Sequence, residues 1–238
     1  ISRDDQDRFA LESHRRAEAA RERLREETMD VFVSPDYKMC VRDDNGIRKN
    51  QTYEALQKLK PIFEKRTGTV TAGNASQITD GACAMLVMSE EKAKSMGLEV
   101  LGFLRDYAYV GLEPARMGLG PAIAIEQVLT RNALGLDDFG LFEINEAFAV
   151  QVLACLRALA SGDFAKKHFK SGTPPGMIPL EKLNVNGGAI ALGHPVGTSG
   201  ARLILTCLKE MKRRLAKRGL VSACVGGGQG AALILESV

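Results

Sequence analysis

The chain of 238 residues carries 45% apolar and 26% charged side chains, enough to bury a real core and the balance of an ordinary soluble globular protein. Its formal net charge of +3 is too small to argue for nucleic acid, and nothing in it approaches the ~18 consecutive apolar residues of a membrane span. Its five cysteines (Cys40, Cys83, Cys155, Cys207 and Cys224) are scattered, with no C-x-x-C and no Cys/His cluster, which argues against a disulfide framework or a metal site and for a reducing compartment.

The chain opens on Ile1 and a charged stretch with no apolar leader, as expected of a piece cut from something longer. Ser2, with Asp5 at the capping-box offset, predicts a charged helix over 3–27 with a thin apolar stripe of Phe9, Ala17, Ala20 and Leu24. Residues 31–51 read as short strands and turns with a hairpin signal at Asn45-Gly46, and 52–60 as a short helix ended by Pro61. GACAMLVM (81–88) has the length and continuous apolarity of a buried strand, and a helix follows from Ser89 to Gly97. Residues 100–111 predict a strand, 121–134 a helix, 141–144 a strand and 147–160 a helix. The stretch 161–180, rich in Gly, Pro and Lys, reads as a loop. A last helix near 199–214 leads into two strands broken by glycines. Apolar strands alternating with helices predict an α/β layered fold, with helices covering a mixed sheet. The six basic residues between Lys209 and Arg218 read as a solvated helix face and exit turn rather than a phosphate site.

Three segments place reactive side chains among glycines. In NEAFA (145–149), Asn145 and Glu146 follow an apolar strand, at the strand end where α/β sheets bind ligands, although Asn145 taken alone suits a helix cap. In NVNGGAIALGHPVGTSGAR (184–202), glycines permit a close backbone approach, and His194 sits before Pro195 at a helix start that favours anions or oxyanions. In ACVGGGQGAAL (223–233), Cys224 ends a strand directly before Gly226, Gly227 and Gly228; alone it reads as a small buried hydrophobe. None of these runs satisfies a nucleotide-binding glycine pattern.

Together the segments resemble the thiolase family, enzymes that make or break carbon–carbon bonds between coenzyme A thioesters. NEAFA is similar to the family's N-E-A-F block, GGAIALGHPVGTSGAR to its G-H-P-x-G-x-S-G block and CVGGGQG to its C-x-G-G-G-x-G block. Upstream, TAGNAS (71–76) with DGA (80–82) resembles the segment that touches coenzyme A, and ISRDDQDRFALESHRRA the opening of the lid region. The resemblance implies that His194 activates a nucleophilic cysteine and holds the thioester oxygen, and that Asn145 fixes a water in the same oxyanion site. It implies that Cys224 moves the α-proton and that the Gly226 N–H serves a second oxyanion site. Ser76 would contact the pantetheine arm, with Phe63 and Phe148 lining its channel. No metal and no tightly bound cofactor is implied; coenzyme A is a substrate.

The sequence departs from the family in one respect: none of its cysteines stands in the C-x-S context of the family's nucleophile. The expectation is therefore a fragment, inactive alone, divided into part of the lid domain (1–77), a strand and helix belonging with a missing first core domain (78–99) and the C-terminal core domain (100–238). The extended 161–180 segment resembles thiolase subunits of fatty-acid β-oxidation complexes. That favours degradative 3-ketoacyl-CoA thiolase over a biosynthetic acetoacetyl-CoA thiolase, with a hydratase/dehydrogenase subunit as partner. By the same resemblance the protein is a homodimer or homotetramer of the bacterial cytoplasm, or of the mitochondrial matrix in a eukaryote. A non-catalytic acyl-CoA or lipid-binding relative has no need of an intact Asn145, His194 and Cys224.

Overall fold

Ser2 starts the first helix as its side chain dictates. Its Oγ accepts the Asp5 N–H at 3.0 Å, and the Asp5 carboxylate accepts the Ser2 N–H at 3.1 Å, closing a capping box. The computed structural model describes residues 1–238. The single helix expected over 3–27 is divided: α1 (Arg3–Ala19) closes on Ala20, whose N–H bonds Arg16 O and Glu18 O, and α2 (Arg21–Leu24) and a 3₁₀ turn (Arg25–Glu27) follow. Beside its alanines and Leu11, α1 buries Gln6, Asp7, Ser13 and His14, so its inner face is largely polar.

Strands β1 (Val31–Phe32) and β2 (Cys40–Val41) form a two-stranded antiparallel ribbon. Its turn spans 33–39, closed by Val33 N–H on Met39 O (2.8 Å) and Tyr37 N–H on Val33 O (3.0 Å). A turn does form at Asn45-Gly46, but no paired strands flank it, so it closes no hairpin. Gly46 is buried, with its carbonyl taken by Gln77 Nε2 (3.1 Å) and its α-carbon so close to Ala191 that a Cβ would fall 2.6 Å from the Ala191 oxygen. Helix α3 (Tyr53–Gln57) is capped by Thr52. The strand expected at 81–88 does not form: no strand of this chain lies alongside to satisfy its backbone, and Leu86 and Val87 stand 83% and 82% exposed. The helix after it does form, as α4 (Glu90–Ser95) capped by Ser89.

The main sheet is built from β3 (Phe103–Gly111), β4 (Leu141–Ile144), β5 (Arg218–Val225) and β6 (Gln229–Glu236), in the order β3-β6-β5-β4. Only β4 and β5 run parallel, so the sheet is mixed. On one face α5 (Gly120–Asn132) and α6 (Ala149–Ala160) pack over Phe142, Ile144, Leu220, Ala232 and Ile234. The loop expected over 161–180 contains α7 (Gly162–His168), because Ser161 caps Phe164 N–H at 3.2 Å and Ala165 and Phe169 join this core. A short α8 (Ala189–Leu192) then precedes α9 (Val196–Arg214), which begins directly after Pro195 rather than at Ser199. Helix α9 covers the opposite face, where Leu203, Cys207 and Met211 meet Leu141, Val221 and Leu235. Strand residues alternate between the two cores, and each large side chain so buried contributes about 1.5–3 kcal/mol. No helix is long and apolar enough to cross a membrane.

Candidate active site

The β4–β5 pairing runs from Leu141 opposite Gly219 to Ile144 opposite Ser222, and Asn145 N–H continues it onto Ser222 O at 2.9 Å. Asn145 and Cys224 therefore stand at the C-terminal ends of neighbouring parallel strands. Asn145 does not cap the following helix: Phe148 occupies the cap position of α6, and Ala149 N–H goes to Asn74 O at 2.9 Å. Asn145 Nδ2 instead lies 3.3 Å from His194 Nε2, while its Oδ1 is buried without a partner.

His194 is held at two further points. Its N–H donates to Gln77 O (3.0 Å), and its Nδ1 lies 2.6 Å from Ser199 Oγ. The Ser199 hydroxyl donates to Pro195 O at 3.2 Å, so its lone pair is left to accept from Nδ1–H. With the proton on Nδ1, Nε2 carries the lone pair and accepts from the Asn145 amide at 3.3 Å. Burial, and then the positive charge of Arg202, lower the His194 pKa below its ordinary value and keep the ring neutral near pH 7. A neutral imidazole so oriented can take a proton at Nε2 and afterwards donate from it.

Cys224 is buried, and burial pushes its thiol up to about 11, so at neutral pH it is a protonated acid. Gly226 lies two residues on, in the exposed β5–β6 turn, with open space beside its α-carbon. The turn needs glycine at Gly227 (φ 88°) and Gly228 (φ 92°); a Cβ on Gly228 would fall 2.3 Å from Leu112 O.

The glycines at 187 and 188 approach the protein itself. Glu146, 1% exposed, accepts from Ser13 Oγ (2.7 Å), Asn184 Nδ2 (2.9 Å) and Ile190 N–H (3.2 Å). A Cβ on Gly188 would lie 2.3 Å from the Glu146 carboxyl carbon, and one on Gly187 would lie 2.6 Å from Ser13 O. Burial raises the Glu146 pKa, and the three hydrogen bonds oppose the rise. Asn184 also clamps both backbone groups of Ile144 at 2.9 Å, which fixes the strand end before Asn145. Ser13, Gln77, Asn184 and Ser199 thus position the site; Ser199 and Asn184 lie inside the 184–202 motif and Ser13 inside the opening helix, but sequence reading assigned none of the four a role.

The three residues expected along a pantetheine channel come together. The Phe63 and Phe148 rings meet edge to face at 6.1 Å, and Ser76 N–H bonds Ala147 O at 3.0 Å, with Ala75 bridged to Phe148. Asn74 anchors this segment through Asp7 (2.9 Å), Thr69 O (3.1 Å) and Thr71 N–H (2.8 Å).

The family model for the thiolase C-terminal domain matches residues 98–237, and that for the thiolase N-terminal domain matches residues 1–91. This chain belongs to the thiolase family. Among curated thiolases it is 46% identical to a 3-ketoacyl-CoA thiolase of Pseudoalteromonas translucida, covering 100% of this chain and 55% of that one. It is 44% identical to one of Pectobacterium atrosepticum, covering 99% and 54%. The structure of human mitochondrial 3-ketoacyl-CoA thiolase in complex with CoA superposes with a TM-score of 0.88 at 41% identity, covering 100% of this chain and 55% of that one. A Bacillus anthracis acetyl-CoA acetyltransferase gives 0.87 at 39%, covering 100% and 57%. The fold is the thiolase fold, and the chain spans about half the length of these thiolases. Its basic run at 209–218 is largely paired with carboxylates: Arg213 and Arg214 with Glu210, Lys212 with Glu99, and Arg218 with Glu236.

Proposed function

We propose that this chain supplies the base, oxyanion and acid half of the active site in a degradative 3-ketoacyl-CoA thiolase. The observation that carries the reading is the contact between Asn145 Nδ2 and His194 Nε2, at the strand ends where Cys224 also stands. His194 takes the proton of a nucleophilic cysteine and then donates to the thioester oxygen; Asn145 holds a water beside it. Cys224 protonates the enolate carbon as the carbon–carbon bond breaks, with the Gly226 N–H stabilising the enolate oxygen. Coenzyme A and acyl-CoA are the substrates, their pantetheine arm passing Ser76 between Phe63 and Phe148. That one structural relative is a complex with CoA supports this. The nucleophile, absent from the C-x-S context here, belongs to a segment outside these residues. On this reading 1–77 are lid, 78–99 pack with a first core domain and 100–238 are the second core domain.

The names of the 44–46% identical relatives favour the degradative direction. The likeness to an acetyl-CoA acetyltransferase supports the second reading, acetoacetyl-CoA synthesis. We assign the protein to the cytoplasm as a homo-oligomer, with a hydratase/dehydrogenase subunit as its partner in β-oxidation.

The test supplies 3-ketoacyl-CoA of several chain lengths and free coenzyme A to the whole protein and to residues 1–238 alone, with mass spectrometry for acylated cysteine. The whole protein cleaves 3-ketoacyl-CoA longer than acetoacetyl-CoA, and the isolated chain stays at background. Activity confined to acetoacetyl-CoA selects the second reading. Normal turnover by the isolated chain, or acylation of one of its five cysteines, removes the assignment of the nucleophile.

A further inference from the structure

Beneath the loop that carries His194 lies a cluster of buried polar atoms that the proposed chemistry does not use. Both carboxylate oxygens of Glu27, Oε2 of Glu143, Nη1 and Nη2 of Arg202 and the Thr206 hydroxyl are closed to solvent, and none has a protein partner at hydrogen-bond geometry. Glu143 is 2% exposed and Thr206 is fully buried.

Three elements bring these groups together. Glu143 lies on β4 two residues after Leu141, which faces α9, so strand alternation turns Glu143 to the same side. Arg202 and Thr206 are one helical turn apart on α9, and Arg202 follows Ser199, the partner of His194 Nδ1, by three residues. Glu27 ends the 3₁₀ turn, which is tied to α9 by Arg213 Nη2 through Arg23 O (3.0 Å) and Glu26 (3.2 Å). The Thr206 hydroxyl is near enough to favour the charged form of Glu27 without meeting hydrogen-bond geometry. The Arg202 charge acts on Glu27, Asp44, Glu143, Glu146 and His194 alike. The other charged groups on this side of α9 are Lys209, Glu210 and Arg213, and Glu210 is already engaged by Asn186, Arg213 and Arg214.

Buried charges left unmet are costly, and native structures satisfy them with protein groups or ordered water. These atoms are already enclosed by this chain, so a segment outside it cannot reach them. We propose that Glu27, Glu143, Arg202 and Thr206 enclose a built site for ordered water, and that Arg202, fixed by that water, is a positioning residue for His194. Each bridging water accepts from an Arg202 N–H and donates to a carboxylate oxygen, giving it the two to four polar partners that buried water takes. The water ties the end of the lid segment to the helix whose first turn orients the histidine. The role toward His194 rests on the function proposed above; the water site does not.

Two measurements on the whole protein separate these parts. A crystal structure resolving solvent shows at least one water within hydrogen-bond distance of both an Arg202 Nη and a carboxylate of Glu27 or Glu143. A dry cluster, or a direct ion pair from Arg202 to either carboxylate with no water between, overturns the site. His194 is then titrated by NMR, alongside the pH profile of kcat/KM, in Arg202→Gln and Arg202→Lys. Losing the cation makes His194 easier to protonate, so Arg202→Gln moves the acid limb and the titration upward, and Arg202→Lys restores both. A His194 titration unchanged in Arg202→Gln ends the positioning role. Normal titrations in a protein that cleaves no thioester sink the function and leave the water site standing.

Discussion

Ser199 decides which nitrogen of His194 is basic. With its hydroxyl proton on Pro195 O, Ser199 accepts from Nδ1–H, which leaves the lone pair on Nε2. Replacing Ser199 with Ala leaves that N–H unmet and mixes the tautomers, at the cost of about 1–1.5 kcal/mol for one hydrogen bond. In the whole enzyme Ser199→Ala therefore lowers kcat roughly ten-fold with little change in KM, and Ser199→Thr restores most of it. Lost stability with kcat intact would make Ser199 merely structural. His14 carries a pH signature of its own. It accepts Arg48 N–H at 3.3 Å, and burial, then the charge of Arg48, lowers its pKa from 6.5 to about 4. Between those values the unfolded chain binds the extra proton, so the contribution of His14 is complete above pH 6.5 and is lost as pH falls toward 4. Urea midpoints of the chain and of His14→Gln, compared across that range, should show the unsubstituted chain losing ground as pH falls. A pH-independent difference would refute the shift. Asn145, His194 and Cys224 could be named from their motifs. Ser13 could not, because its partner Glu146 lies 133 residues away and a serine on a charged helix has no distinguishing pattern.

At the scale of elements, the packing of α1 on the loop before α8 is what Gly187 and Gly188 are for. Gly188 has an ordinary extended backbone (φ −148°), so conformation does not demand glycine there; the Glu146 carboxylate does. Gly188→Ala should destabilise the fold by about 3 kcal/mol through forced displacement of a buried, fully hydrogen-bonded carboxylate. Chemical denaturation reads this directly, and a change under about 0.5 kcal/mol, the range of neutral surface substitutions, would mean the loop yields freely. Sequence reading served well where structure is local: the Ser2–Asp5 capping box, the Ser89 cap and the alternation of β4 with its helices are all present. It failed where neighbours decide. The run 81–88 has strand composition but no strand beside it, and α7 was hidden by surrounding Gly, Pro and Lys although Ser161 and Phe164 carry a cap and a core contact. Glycines suggestive of a ligand loop proved to serve a helix whose buried face is largely polar and so showed only a thin apolar stripe.

Across the whole molecule, two apolar cores on opposite faces of one mixed sheet fix the C-terminal ends of β4 and β5 side by side. That rigid floor explains why Asn145 and Cys224 sit on strand ends while His194 arrives on a loop pinned by Gln77 and Ser199. The layered α/β class was legible because fully apolar strands alternate with helices, and the family because three motifs occur in order; the contacts of the first helix with the 184–190 segment were not, since they join residues far apart in the chain. On the function proposed above, these strand ends deliver a proton to and from the α-carbon of a coenzyme A thioester. The direct measurement is deuterium exchange from D₂O into the methyl group of acetyl-CoA, catalysed by the whole protein and by its Cys224→Ser variant. A serine hydroxyl is a far poorer acid and base than a thiol, so exchange should fall by about two orders of magnitude or more while acylation of the nucleophile suffers much less. Exchange at the unsubstituted rate in Cys224→Ser would contradict the account.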